Sequence, residues 1–262
     1  MKKRISVWPF LEGVCRCVAH VGMMQVLIEK GFSFSRIAGS SAGAIIGALY
    51  CQGIMPKEIL KILNNLNYFS FFRPALNWQA LLNLEKVINF LSIYLPIDYF
   101  SSLHTPLVVV ATDLKKEKIK YFKKGELWRT LIASCSIPVV FSPVKIKGTA
   151  YVDGGLLNNL PIEPLKKKCN YVIGLYCNPI GIIRTRVNWK KQLERSWLLA
   201  ISSRDRLKIK KIDLFWEPPE LSSYNVFDFK WLDTIFEIDY DYALQQLRKG
   251  KSEFLINSYV RN

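Results

Sequence analysis

The stretch RIAGSSAGAIIGALY, residues 36–50, decides how this chain is read. It opens as a short apolar run, passes through Gly39-Ser40-Ser41-Ala42-Gly43, and continues in small and aliphatic residues. Residues 36–39 read as a strand and 42–52 as a small-residue helix, so Ser41 falls on the turn between them. Such a turn needs small neighbours, here Gly39 and Gly43, and it holds the serine hydroxyl out at a sheet end and a helix N-terminus. There the helix dipole and unpaired N–H groups favour developing negative charge. Gly-x-Ser-x-Gly is short, and alone it fits a structural turn as well as a nucleophile.

The flanking segments supply the frame. Residues 4–11 read as a short strand with an awkward Pro9, and 18–30 as a helix closed by Gly31. PLVVVAT at 106–112 is a β-branched run of the kind buried on both faces. Residues 118–122 and 171–177 read as further strands, 125–134 as a helix, 189–211 as a basic helix or helix pair, and 231–250 as an amphipathic helix. Strands alternating with helices predict an α/β fold, three layers with a mainly parallel central sheet. No Pro/Gly/Ser linker interrupts residues 1–262, which predicts one domain. The aromatic segment 56–100 reads as helical core or as a cap over an apolar pocket.

Composition narrows the classes. Half the residues are hydrophobic, which excludes a disordered chain, and the net charge of +16 points to a solvated basic surface or to a polyanion such as nucleic acid or anionic lipid. No nucleic-acid motif is present, so no nucleic-acid partner is expected. The cysteines at 15, 17, 51, 135, 169 and 177 form no CxxC pair, and the two histidines, His20 and His104, lie far apart. No metal or cofactor is therefore expected, and free thiols in a reducing compartment are. The basic start, MKKRISVWPFLEGVCRCVA, has its apolar run broken by Pro9, Glu12 and Arg16. No stretch reaches the roughly 18 apolar residues of a spanning helix. The expectation is a cytoplasmic chain with no cleaved leader, open to peripheral contact with lipid, with secretion by a route that needs no cleaved signal as the alternative.

A nucleophilic serine needs a base. In the usual hydrolase order a histidine follows the serine and an acid, but no histidine lies beyond residue 104. Both histidines read as structural, which leaves a carboxylate acting directly. Asp153, in AYVDGGLLNNLPIEPL, is the best placed, although Asp-Gly-Gly taken alone is a turn.

Together the two motifs resemble those of the patatin-like phospholipase family, lipid acyl hydrolases that use a Ser-Asp dyad. HVGMMQVLIEKGF is similar to that family's first helix, RIAGSSAGAIIGAL to its nucleophile elbow, the segment from TPLVVVATD through YVDGGLLNNLPIEPL to its central portion, and FDFKWLDTIFEIDYDYALQQL to its closing helix. The resemblance implies Ser41 as nucleophile and Asp153 as base, with Gly39, Gly43, Gly154 and Gly155 shaping the two turns. It implies oxyanion or substrate contacts from Gly13, Val14, Arg16 and Ala42, and a phospholipid or other lipid ester as substrate. The family's oxyanion loop has the form Gly-Gly-Gly-x-Arg/Lys-Gly. This chain has Glu12-Gly13-Val14-Cys15-Arg16-Cys17, keeping Gly13 and Arg16 and replacing three glycines. Glycine permits positive φ and close backbone approach, and valine resists both. A relative with impaired catalysis that binds lipid or a protein partner is the alternative this loop raises. The runs Lys166–Lys168, Lys190–Lys191 and Arg204–Lys211 are candidates for contact with an anionic membrane.

Overall fold

The computed structural model describes residues 5–7, 16–73, 81–82, 84–138, 141–181, 189–224 and 229–249. In chain order the elements are β1 (Ile5–Val7), α1 (Val18–Glu29), β2 (Phe34–Ser40), α2 (Ser41–Cys51), α3 (Pro56–Asn64), β3 (Phe72–Arg73), β4 (Leu81–Leu82), α4 (Leu84–Tyr94) and β5 (Leu107–Asp113). They continue with β6 (Lys118–Phe122), α5 (Trp128–Ser134), β7 (Val144–Ile146), β8 (Thr149–Asp153), α6 (Glu163–Lys166), β9 (Tyr171–Leu175), α7 (Trp189–Ile209), β10 (Leu214–Trp216) and α8 (Leu232–Arg248).

The three-layer α/β arrangement expected from the alternation is present, around an eight-stranded sheet ordered β10-β9-β1-β2-β5-β8-β7, with β6 also on β5. From β10 to β5 every pairing is parallel. Beyond β5 the sheet turns antiparallel, through β6, β8 and β7. The sequence reading missed β7, whose three residues form a hairpin with β8 across Lys147-Gly148, both with φ above zero. That is the geometry of a two-residue type I′ turn.

The central strand explains the rest. Every residue of β5 is buried, as a β-branched run covered on both faces should be. Its two edges are used unequally. β6 pairs with Val109 through Asp113, β2 with Leu107 through Val110, and β8 with Ala111 through Asp113. Because β6 overlaps both partners, β2 and β8 must share the opposite edge. They arrive there from opposite directions and meet end to end: Ser40 is paired with Val110 and Asp153 with Ala111.

The helices bury their apolar sides on this frame. α1 is buried on all sides from Val18 to Leu27 and packs against α3 and α8. α2 packs on β2 and β5 and against α3 and α5, and α4 packs against α5.

Candidate active site

Ser41 is the first residue of α2, directly after the last residue of β2. Its φ of +49° is in the left-handed region, which costs a non-glycine residue on the order of 1–3 kcal/mol and persists only where the surroundings enforce it. Small neighbours allow the turn: a Cβ on Gly39 would come within 2.9 Å of the Ala44 backbone. Two buried hydrogen bonds enforce the geometry around it. The Ser41 amide donates to Ser134 Oγ at 2.8 Å, and that hydroxyl donates in turn to the Val110 carbonyl at 2.6 Å. Ser134 ends α5 and is fully buried.

Asp153 ends β8 and is also fully buried. Its amide donates to the Ser136 carbonyl at 2.9 Å, and its own carbonyl accepts from Thr112 Oγ1 at 2.9 Å. Oδ1 accepts from the Gly155 amide at 2.7 Å, which fixes the carboxyl at the start of the Gly154–Leu156 turn. The other interacting group is the Ser41 hydroxyl. That contact is loose, since Oδ2 has no partner at full hydrogen-bond geometry among the described residues. Such contacts commonly tighten only when substrate is bound. Burial pushes the Asp153 pKa up to about 7, against the opposing pull of Ser41 and of the Gly155 amide. The Cys135 thiol also lies against Ser41; burial, reinforced by the Asp153 carboxylate, pushes its pKa up, so it stays a protonated thiol.

The structure thus brings Ser41 and Asp153 together, from segments far apart in sequence, with Gly39, Gly43, Gly154 and Gly155 at their two turns. Ala42 follows Ser41 at the N-terminus of α2, where the first amides have no partner within the helix. Gly13 and Val14 lie outside the described residues. Arg16 is described and is nearly buried; its Nε and Nη2 donate to the Tyr224 carbonyl, so this guanidinium ties the 219–224 turn to the start of α1.

Neither histidine competes for the role of base. His20 is fully buried, with Nδ1 3.0 Å from the Cys17 carbonyl and Nε2 3.2 Å from the Leu175 carbonyl, and burial lowers its pKa to about 3. His104 precedes β5 by three residues, before the N-terminal end of the strand. The Thr105 amide donates to the Cys51 carbonyl at 3.1 Å, which sets this segment at the C-terminal end of α2, the end opposite Ser41.

An apolar cleft opens beside Ser41. Its interior volume is about 140 Å³, a narrow slot that opens to solvent. Its walls come from α2 (Ala42, Ile45, Ile46), from the 56–100 segment (Leu63, Leu66, Val87, Phe90) and from α5 (Leu131, Ile132). Tyr68 also faces it, with its hydroxyl occupied by the Leu63 carbonyl and its ring stacked on Phe229 at 3.7 Å. Ser41 is thus the polar group at the foot of a hydrocarbon wall, with two thiols, Cys17 and Cys135, beside it.

Sequence reasoning missed Ser134, Thr112 and Cys135, because a serine or threonine in a buried helix or strand carries no signal of its partner. It also took Arg204–Lys211 as one basic run. In the structure Arg206 makes a bidentate pair with Glu217 at 2.7 Å, and Lys208 reaches Glu163 at 3.1 Å and the Leu160 carbonyl at 3.2 Å. Among the described residues there is no cluster of three metal-ligating side chains, five cysteines are free thiols, and no helix is long and apolar enough to cross a membrane.

Comparison with known proteins identifies a family and a fold. The family model described as patatin-like phospholipase matches residues 13–166. An uncharacterized NTE family protein of Mycobacterium bovis is 32% identical over 59% of this chain and 43% of its own length. The chain therefore spans under half the length of that relative. The protein YqhO of Bacillus subtilis is 32% identical over 71% of this chain and 75% of its own. The lysophospholipase NTE1 of Meyerozyma guilliermondii is 24% identical over 92% of this chain and 19% of its own. Among solved structures, VipD from Legionella pneumophila shares the fold, with a TM-score of 0.63 at 15% identity, over 95% of this chain and 67% of that one. An elbow serine, a buried aspartate facing it and a family model spanning both place the chain: it belongs to the patatin-like phospholipase family.

Proposed function

We propose that this chain is a serine lipid acyl hydrolase of phospholipase A or lysophospholipase type, acting through Ser41 and Asp153. The observation that carries the proposal is a fully buried carboxyl, with a pKa near neutrality, beside the hydroxyl of a strained elbow serine and with no histidine in reach. A general base works best when its pKa lies near the working pH. Relatives named as lysophospholipases and the hydrocarbon cleft beside Ser41 support an acyl chain as the group bound there.

In this mechanism Asp153 takes the proton from Ser41 Oγ while Oγ bonds to the ester carbonyl carbon. The oxyanion is met by the backbone amide of Ala42, a donor worth about 3 kcal/mol in the transition state, with Gly13 and Val14 as the further donors that the family resemblance implies. The bond from carbonyl carbon to alcohol oxygen then breaks, and the leaving alcohol takes the proton from Asp153. Water attacks the acyl-serine, giving one proton to Asp153. The Oγ–acyl bond breaks, Ser41 recovers that proton, and the fatty acid leaves. Leu63, Leu66, Val87 and Phe90 form part of the acyl wall, and the exposed Lys166–Lys168 run is offered to an anionic membrane surface.

A fluorophosphonate probe tests the reading without knowledge of the lipid. The native chain should label; Ser41→Ala should not, and Asp153→Asn should label far more slowly. No labelling of folded native chain would sink the hydrolase reading, and would favour a relative with the altered Glu12–Cys17 loop that binds lipid or a partner.

A further inference from the structure

The strain at Ser41 requires a device to hold it, and the side chain that supplies it lies on a different helix. Ser40 is the last residue of β2 paired to β5, opposite Val110. Beyond it the ladder would close directly from the next amide to a β5 carbonyl. Instead Ser134 Oγ is inserted, 2.8 Å from the Ser41 nitrogen and 2.6 Å from the Val110 oxygen. One hydroxyl accepts from the first and donates to the second. Val110 and Ser134 are fully buried and Ser41 is 6% exposed, which leaves little access for water to substitute.

We infer that Ser134 is a positioning residue for the nucleophile: its hydroxyl replaces one rung of the sheet, and so keeps Ser41 in the left-handed conformation that aims its Oγ at Asp153. This rests on the dyad proposed above. Removing the hydroxyl leaves a buried N–H and a buried C=O, each without a partner and each complementary to the other. They would draw together, extend the ladder and turn the Ser41 side chain away from Asp153. The hydroxyl itself exchanges no proton with substrate.

The test compares Ser134→Ala, Ser134→Thr and Ser134→Cys in the full chain, with Thr130→Val as control. Thr130 is on the same helix, equally buried, and its hydroxyl donates to the Glu126 carbonyl, away from the dyad. Active sites are counted by fluorophosphonate titration, and kcat and KM for 4-nitrophenyl butyrate are expressed per titrated site. Ser134→Ala should lose kcat and labelling rate on the order of 10- to 100-fold, the scale of an ångström-level misplacement, with KM unchanged. Ser134→Thr keeps the hydroxyl and should recover most of the loss. Ser134→Cys, a weak donor and acceptor of similar size, should fall between and serves if the alanine variant does not fold. Thr130→Val should keep the native kcat per site. A Ser134→Ala or Ser134→Cys variant with native kcat, or an equal loss in Thr130→Val, overturns the inference. Retained labelling in Ser41→Ala overturns the dyad reading itself and this inference with it. A dead Ser41→Ala beside a fully active Ser134→Ala overturns this inference alone.

Discussion

Gly154 stands so close to Ser40 that a Cβ on it would lie 2.4 Å from Ser40 Oγ, and 2.3 Å from the Val110 carbonyl oxygen. This is the seam where β2 and β8 meet along one edge of β5. Both walls of the seam are tied to the sheet, so an added methyl has to push the two strand ends apart. Gly154→Ala should therefore separate Ser41 from Asp153. The expected cost is about 1–3 kcal/mol in thermal or urea unfolding, as for other overpacked cores. Turnover of a soluble ester should fall further, by on the order of 100-fold. A folded Gly154→Ala variant with native turnover would show that the seam tolerates a side chain.

The charge state of Asp153 links activity to stability with opposite signs. Activity needs the carboxylate, so kcat/KM of the free enzyme should rise with pH through an apparent pKa of about 7. Stability runs the other way. The folded-state pKa lies above the ordinary value of 3.8, so the native state holds the proton where the unfolded chain has lost it. This contribution is fully present below about pH 4, is lost as pH climbs through about 7, and is flat above that. Asp153→Asn keeps the shape without the charge. It should be inactive yet more stable than the native chain at pH 8, by on the order of 3 kcal/mol, with the gap closing at pH 4. Equal melting temperatures at pH 8 would argue against a buried charge at this position.

The cleft makes a prediction about chain length. Leu66 is partly buried and contributes to the wall supplied by the 56–100 segment. Leu66→Trp fills part of the cleft without touching Ser41. Hydrolysis of a dodecanoyl ester relative to a butanoyl ester should fall by roughly 10-fold or more, the discrimination a few methylenes carry in an apolar pocket. An unchanged ratio would mean that the acyl chain lies elsewhere.

Lys208 is predicted to act in folding and not on a membrane. Its ammonium holds the Asn158 amide oxygen, the Leu160 carbonyl and Glu163, pinning the loop after the Asp-Gly-Gly turn to α7. Burial pushes the Glu163 pKa up, but the Asn158 amide and Lys208 outweigh it, and the net direction is down. Lys208→Met should cost about 1 kcal/mol at pH 7, a figure held low by the partial exposure of Glu163. The stabilisation from Glu163 is present above its ordinary pKa of 4.5 and is lost as pH falls through its lower folded value, so the cost should shrink in acid. Binding to anionic vesicles should be unchanged by Lys208→Met and weakened by neutralising Lys166–Lys168. A vesicle-binding defect in Lys208→Met would restore this lysine to the membrane reading.

The elbow and the Asp-Gly-Gly turn were legible in the sequence because their chemistry is local. Gly39 and Gly43 must be small where a strand turns sharply into a helix, and β5 announces itself as an unbroken β-branched run. α1, β2, α2, β6 and α8 fell within a residue or two of where period and punctuation placed them. The antiparallel half of the sheet was not legible, since β7 is too short to carry a period and its turn rests on Lys147 taking a positive φ. Nor were the partners of individual side chains. Ser134 is 93 positions from Ser41, Arg16 is 208 from Tyr224, and Lys208 is 50 from Asn158.

By itself, then, the sequence determined where the chain turns, which segments are buried, and which serine and which carboxylate stand at turns. Only the tertiary structure decided that those two turns face each other. Their meeting depends on two strands sharing one edge of β5, and strand pairing is a choice between distant segments that no local pattern encodes. The same holds for the hydroxyl of Ser134 and the charge of Lys208. A residue's type sets what it can bond, but its partner is set by which backbone the fold brings within 3 Å.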